Sequence, residues 1–134
     1  MRMYLLIGAL LALLGVMLGA FGAHGLKNIL DASALATFEV GVRYQMYHAL
    51  AILLVGGLAA QASLVWRKRA ALLFMIGSVL FSGSIYLLVL TGQKWLGPVT
   101  PLGGLCLMLG WVALVISVMK GADNSADTRP GSND

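Results

Sequence analysis

The stretch GAFGAHGLKNILDASALATFEVGVRYQMYH, residues 19–48, decides how the chain folds, because it leaves one apolar segment and leads into the next. It contains both histidines, two of the four tyrosines, and the side chains Glu39, Arg43 and Gln45. The other long segments are almost wholly apolar. Any polar chemistry that the chain performs is therefore expected in or beside this stretch.

The composition is that of a membrane protein. Of the 134 residues, 60% are hydrophobic and 10% are charged, and the mean hydropathy is +0.91. Soluble globular chains carry about 25% charged residues, and the length fits one domain. The net charge of +4 does not indicate a nucleic-acid partner, because the basic residues flank apolar runs, where they act as topology signals. The single cysteine, Cys106, excludes an intrachain disulfide.

Four uncharged apolar segments are each about 20 residues long, enough for a helix to cross the roughly 30 Å hydrocarbon core. They cover residues 3–22, 46–64, 70–90 and 102–119. Lipid offers the backbone no hydrogen-bond partners, so each is predicted to be helical. We therefore predict an all-α integral membrane four-helix bundle over residues 1–120 and a polar, disordered tail over residues 121–134. The first segment could also be a cleavable signal peptide, but its length favours a retained helix.

Basic residues predict the orientation of the chain in the membrane. Arg67, Lys68 and Arg69 form the strongest cluster, which we place in a cytoplasmic loop between the second and third segments. Arg2 and Lys120 then lie on the same side. Both termini are predicted to be cytoplasmic, which is consistent with an even number of spans.

A short amphipathic helix is predicted between the first and second spans. Asp31 can cap a helix that begins near Ala32. The apolar side chains that share one face at helical spacing are Leu35, Phe38 and Val42. The helix either lies along the membrane interface and bends near Gly41, or runs continuously into the second span.

The polar side chains of residues 19–48 are the candidates for a ligand site or for a clasp between helices. They are His24, Glu39, Arg43, Tyr44, Gln45, Tyr47 and His48. Glu39 precedes Arg43 by four residues, the favoured order for a helical ion pair. His24 ends the first span and His48 begins the second, so both are expected near the outer membrane face. His48 is interpreted first as a hydrogen-bonded tie and second as a proton relay. No metal site is expected, because Glu39 and His48 point to opposite sides of one helix.

Small residues recur along the apolar segments at spacings of three and four, which places them on single helix faces. The glycines predicted to pack helices together are Gly8, Gly15, Gly19, Gly22, Gly56, Gly103 and Gly110. Small residues let membrane helices approach closely, so dispersion contacts can hold them together.

Four motifs resemble those of a known family. They are GAFGAHGL at 19–26, YQMYHAL at 44–50, FSGSIYLL at 81–88 and GPVTPLGGLCLMLGW at 97–111. Together they resemble the YgdD-like family of small four-span inner-membrane proteins, a family defined by a domain of unknown function with a eukaryotic relative among small mitochondrial membrane proteins. The resemblance implies a multi-pass protein of the bacterial inner (cytoplasmic) membrane. It implies no established activity, so no catalytic residue is carried over.

The function predicted from these observations is a non-enzymatic structural or assembly protein. Its expected partners are the lipid bilayer and either further copies of itself or another membrane protein, and no cofactor is expected. The alternative is a binder or carrier of a small amphipathic molecule or lipid at the outer-face end that holds His24 and His48, acting as a homo-oligomer. An enzyme is the least favoured hypothesis, because the sequence contains no nucleophile, nucleotide-binding or zinc-protease motif.

Overall fold

A computed structural model describes residues 1–123. Four long helices make up most of this range: α1 Arg2–His24, α2 Ala32–Gly57, α3 Leu64–Thr91 and α4 Val99–Lys120. Short 3₁₀ turns at Leu26–Asn28 and Lys94–Leu96 lie in the connections before α2 and α4. The all-α prediction is confirmed for this part of the chain. Most of the predicted disordered tail, residues 124–134, lies outside the described residues.

Three stretches of the described chain are long and apolar enough to cross a membrane. They are Arg2–Asn28, Leu64–Thr91 and Lys94–Lys120. They contain α1, α3 and α4. Helix α2 is not among them, because it carries the polar side chains Glu39, Arg43, Gln45 and His48.

Helix α2 begins earlier and ends earlier than the sequence predicted. Asp31 caps it, since its Oδ1 accepts a hydrogen bond of 2.7 Å from the Ala34 amide, and this part of the prediction is confirmed. Of the two arrangements left open for the amphipathic helix, the structure shows the second: its residues form the first turns of one continuous helix. The predicted second span of 46–64 is wrong, because α2 ends at Gly57. Two adjacent glycines, which have low helix propensity, precede the turn into α3.

Helix α3 begins at Leu64, so the basic cluster of residues 67–69 lies in its first two turns and not in a loop. Arg67 is buried, with 5% of its surface exposed. Its Nη1 donates to the Val55 carbonyl oxygen at 3.3 Å, near the end of α2. A cation at the C-terminal end of a helix also interacts favourably with the helix dipole.

The four helices of the predicted bundle pack as an open row in the described chain. Each helix packs antiparallel against the next one in sequence, α1 on α2, α2 on α3 and α3 on α4. Within residues 1–123, α1 and α4 share no packed interface. The connections between helices are short, which favours packing of sequence neighbours. Helices α1 and α4 therefore each have a flank without a neighbouring helix, and the flank of α2 that faces away from α1 and α3 is uncovered as well.

Glycines of α1 face α2 along the length of both helices. A Cβ at Gly8 would lie 3.0 Å from Ile52 Cγ2, and one at Gly22 would lie 2.9 Å from Phe38 Cε1. Gly15 faces Met46, Gly19 faces Val42, and Gly56 of α2 faces Leu5. These contacts show that α1 and α2 approach closely and fix their antiparallel register.

The α3–α4 contact is equally close. A Cβ at Gly110 would lie 2.6 Å from Phe74 Cδ1, and one at Gly103 would overlap the Phe81 backbone. Gly77 of α3 similarly faces Leu107, with its missing Cβ 2.9 Å from the Leu107 backbone nitrogen. A rigid backbone cannot move aside as a flexible side chain can, so larger residues are poorly tolerated at Gly103 and Gly77.

Candidate functional site

Gln45 joins three helices through its side-chain amide. Its Nε2 donates to the Leu11 carbonyl oxygen of α1 at 2.8 Å, and its Oε1 accepts from the Tyr86 hydroxyl of α3 at 2.6 Å. Gln45 is 4% exposed, so both bonds are shielded from solvent. The amide of Gln45 is therefore occupied by structural contacts.

His48 joins α2 to α4. Its Nδ1 lies 2.7 Å from the Tyr44 carbonyl oxygen, and the Trp111 indole Nε1 donates to its Nε2 at 3.1 Å. An indole N–H can only donate, so Nε2 must accept and the proton must sit on Nδ1. His48 is therefore a neutral imidazole with both ring nitrogens bonded.

Serine and threonine side chains supply further bonds between helices. Ser82 Oγ of α3 donates to the Gly41 carbonyl oxygen of α2 at 2.6 Å. The hydroxyls of Ser84 and Thr100 lie 2.6 Å apart and link α3 to α4. Helix α4 begins at Val99, so Thr100 lies in its first turn. The sequence signal for these bonds was the presence of hydroxyl residues in otherwise apolar segments.

The two histidines do not converge on one membrane face. In the register set by Gly8 against Ile52 and Gly22 against Phe38, His48 lies level with Ala12, near the middle of α1. His24 is exposed at the end of α1. Twelve residues, about 18 Å, separate these two levels along the helix axis. The predicted His24/His48 end is therefore wrong.

Glu39 and Arg43 are both exposed, and the predicted ion pair between them does not form within the described chain. Both side chains point away from α1 and α3, toward the uncovered flank of α2. In residues 1–123 no group of three His, Cys, Asp or Glu side chains could hold a metal ion.

A groove of about 460 Å³ lies between α2 and α4, over α3. We call it the α2–α4 groove. Its lining residues are Tyr44, Tyr47, His48, Phe81, Gly104, Leu107, Met108 and Trp111. Three of the predicted site residues, Tyr44, Tyr47 and His48, line this groove. The other four, His24, Glu39, Arg43 and Gln45, do not.

Aromatic rings form a continuous surface along the α2–α4 groove. The ring centroids of Tyr44 and Phe81 lie 5.0 Å apart, and those of His48 and Trp111 lie 6.0 Å apart. Phe74 packs against the end of the groove that holds His48 and Trp111, and its ring centroid lies 4.9 Å from that of Trp111. Such a surface can bind apolar groups, but the groove offers no free nucleophile or acid–base pair. Sequence reasoning missed the α4 side of the groove, since Trp111 lies 63 residues from His48.

The chain matches a known family over most of its length. The family model described as "Protein of unknown function (DUF423)" matches residues 18–104. A UPF0382 membrane protein of Staphylococcus aureus (strain bovine RF122 / ET3-1) is 42% identical over 120 residues, which cover 90% of this chain and 98% of the relative. UPF0382 membrane protein YwdK of Bacillus subtilis (strain 168) is 42% identical over 121 residues, with the same coverage. No solved structure matches. Because the family model matches well over half of the chain and these relatives are named membrane proteins, the chain belongs to the DUF423 family of UPF0382 membrane proteins.

Proposed function

We propose that this protein is a four-span protein of the bacterial inner membrane that self-associates and has a structural or assembly role without catalysis. The fourth span is α2. It packs between α1 and α3, which are both apolar enough to cross a membrane. Its contacts with α1, from Gly8–Ile52 to Gly22–Phe38, cover 14 residues, about 21 Å of helix. A bilayer that surrounds α1 along this length must also surround α2.

The distribution of basic residues supports cytoplasmic termini. Arg2 begins α1, residues 67–69 lie in the first turns of α3, and Lys120 ends α4. The antiparallel order of the helices brings all of them to one end of the molecule. Lys and Arg near span ends favour the cytoplasmic side. A YgdD-like four-span architecture agrees with this arrangement.

The observation that carries self-association is the uncovered face of α2. Glu39, Arg43 and Tyr47 lie on this face at spacings of four, followed by Leu50 and Leu54. The spacing from Arg43 onward is four, three and four, the pattern of a helix-pairing seam. Arg43 lies level with Met17 of α1, inside the apolar length of that helix. A charged side chain at such depth is expensive unless it is paired, and two copies related by a two-fold axis can pair Glu39 of one with Arg43 of the other.

Charge exchange tests this proposal. Purified in a mild detergent, the native chain is expected to appear as a dimer by native mass spectrometry. Glu39→Arg and Arg43→Glu each place like charges across the axis, so each should weaken the dimer by about tenfold, the effect of roughly 1.4 kcal/mol. The double exchange restores opposite charges and should restore the dimer.

Lys27→Glu is the matched control, since Lys27 is exposed in the turn between α1 and α2. It should leave the dimer unchanged. A monomeric native chain, or a double exchange no tighter than the single ones, would contradict self-association through this face.

A second candidate function is a binder of a small amphipathic molecule, and the α2–α4 groove favours it. Its volume of about 460 Å³ lies in the range typical of small-molecule sites, about 300–1,000 Å³. The site would be this groove, which is lined by His48. It would not include His24, which lies far from His48 along the helix axis. The same mass measurement tests the idea, since a retained molecule adds its own mass to each copy.

A further inference from the structure

A second groove, separate from the α2–α4 groove, lies on the surface between α3 and α4. Its volume is about 400 Å³. The residues that line it are Trp66, Arg69, Leu72, Leu73, Leu109, Val112, Ala113 and Ile116. Apart from Arg69 and the Trp66 indole nitrogen, every one of these side chains is apolar. We call it the Trp66–Arg69 groove.

The charged head of the Trp66–Arg69 groove, formed by Arg69 beside Trp66, lies at the end of the molecule where α3 begins and α4 ends. The Arg69 guanidinium carbon lies 4.5 Å from the centre of the Trp66 ring, a cation–π contact that holds the side chain over the groove. Lys68 of α3 and Lys120, the last residue of α4, are exposed at the same end. The one carboxylate at this end of the described chain, Asp123, accepts a hydrogen bond from the Leu64 amide. No acidic side chain lines the groove itself.

The apolar part extends from this end toward the middle of the helices. Trp66 and Leu73 are seven residues apart on α3, and Ile116 and Leu109 are seven residues apart on α4. Seven residues of helix span about 10 Å, which fits within one leaflet of a hydrocarbon core about 30 Å thick. An aromatic ring beside the charged head is typical of the membrane–water interface.

We propose that the Trp66–Arg69 groove binds an anionic phospholipid of the leaflet at this end, with the phosphate on Arg69 and an acyl chain along Leu72, Val112 and Leu109. Charge complementarity selects the anionic headgroup, because basic side chains near a bilayer attract anionic lipids. The inference rests on the membrane crossing proposed above. A preference for anionic lipid could be absent even if α2 crosses the membrane, so the lipid site and the membrane crossing are tested by separate experiments.

Native mass spectrometry of the full-length chain in detergent tests the lipid site. The probes are phosphatidylglycerol and phosphatidylcholine with identical acyl chains, each titrated into the same protein. Phosphatidylglycerol is expected to bind at least about fivefold more tightly, since one basic side chain near the surface contributes roughly that factor. Arg69→Gln should remove the preference. Lys27→Gln, which removes an exposed charge at the opposite end, should keep it.

A second pair of variants tests the apolar part. Val112 is 52% exposed and lines the groove, so Val112→Trp fills it without entering the core. It should weaken binding of both lipids. Val16→Trp, at a 61% exposed position on α1, is the matched control and should weaken neither.

Equal affinity for the two lipids, or an Arg69→Gln variant that keeps the preference, would overturn the proposal. Displacement of phosphatidylglycerol by excess inorganic phosphate would also overturn it, because the site would then recognise phosphate alone. Unchanged binding in Val112→Trp would show that the lipid lies elsewhere. Thermal unfolding midpoints equal to that of the native chain confirm that each variant is folded.

Discussion

His48 and Gln45 lie one turn apart on α2 but hold different neighbours. Gln45 bonds to Leu11 and Tyr86, whereas His48 bonds to Trp111. In apolar surroundings an unpaired polar group finds no water to replace its partner, so each such bond matters more than on a soluble surface. The His48–Trp111 bond is a direct link between α2 and α4, two helices that are not sequence neighbours.

Removing the indole N–H should destabilise the protein. Trp111→Phe keeps an aromatic ring but leaves His48 Nε2 without its donor, at an expected loss of about 1–3 kcal/mol in the free energy of unfolding. The measurement is denaturant unfolding in detergent, followed by circular dichroism. Trp95→Phe is the control, since Trp95 is 67% exposed. Equal losses in the two variants would contradict a structural role for the His48–Trp111 bond.

The sequence identified Gln45 and His48 as unusual polar residues but could not identify their partners. Tyr86 lies 41 residues from Gln45, and Trp111 lies 63 residues from His48. Which side chains meet depends on the axial register of the helices. That register is set by contacts such as Gly41 of α2 against Tyr86 and Gly77 of α3 against Leu107, which hydropathy does not reveal.

Among the elements, α1, α3 and α4 were predictable because each contains a long uncharged apolar run. Helix α2 was predicted only in part: Glu39 and Arg43 interrupt its apolar character, so hydropathy placed the start of the second span 14 residues late, at residue 46 and not at Ala32. The cap at Asp31 was the better signal. A capped helix continues until its residues disfavour it, and here that occurs at the Gly56–Gly57 pair.

Adjacent glycines of α4 should respond differently to alanine. A Cβ at Gly103 would lie 2.7 Å from Phe81 Cα, whereas one at Gly104 would lie 3.6 Å from Phe81 Cδ2, an ordinary contact. Gly103→Ala should therefore lower the free energy of unfolding by about 1–3 kcal/mol. Gly104→Ala should be neutral or slightly stabilising, because alanine favours a helix. Unfolding in detergent compares the two, and equal effects would contradict the close α3–α4 approach.

At the scale of the whole molecule, the arrangement of the helices governs what the protein can bind. Because the row is open, no helix covers the α2–α4 groove, and because only α1 and α3 pack closely against α2, its charged face is also uncovered. Composition indicated the membrane class, and the resemblance indicated four spans. Neither could predict the open row, since closure depends on whether α1 reaches α4, and no pattern in either helix specifies that contact.

The membrane crossing of α2 is the basis of the proposed function. It is tested by labelling single cysteines in a Cys106→Ser background with a membrane-impermeant maleimide, in sealed vesicles of known sidedness. Asn28→Cys lies before α2 and Gln61→Cys lies after it, and both positions are exposed. We predict that Asn28→Cys reacts only from the outer side and Gln61→Cys only from the cytoplasmic side. Labelling of both positions from the same side would show that α2 does not cross the membrane.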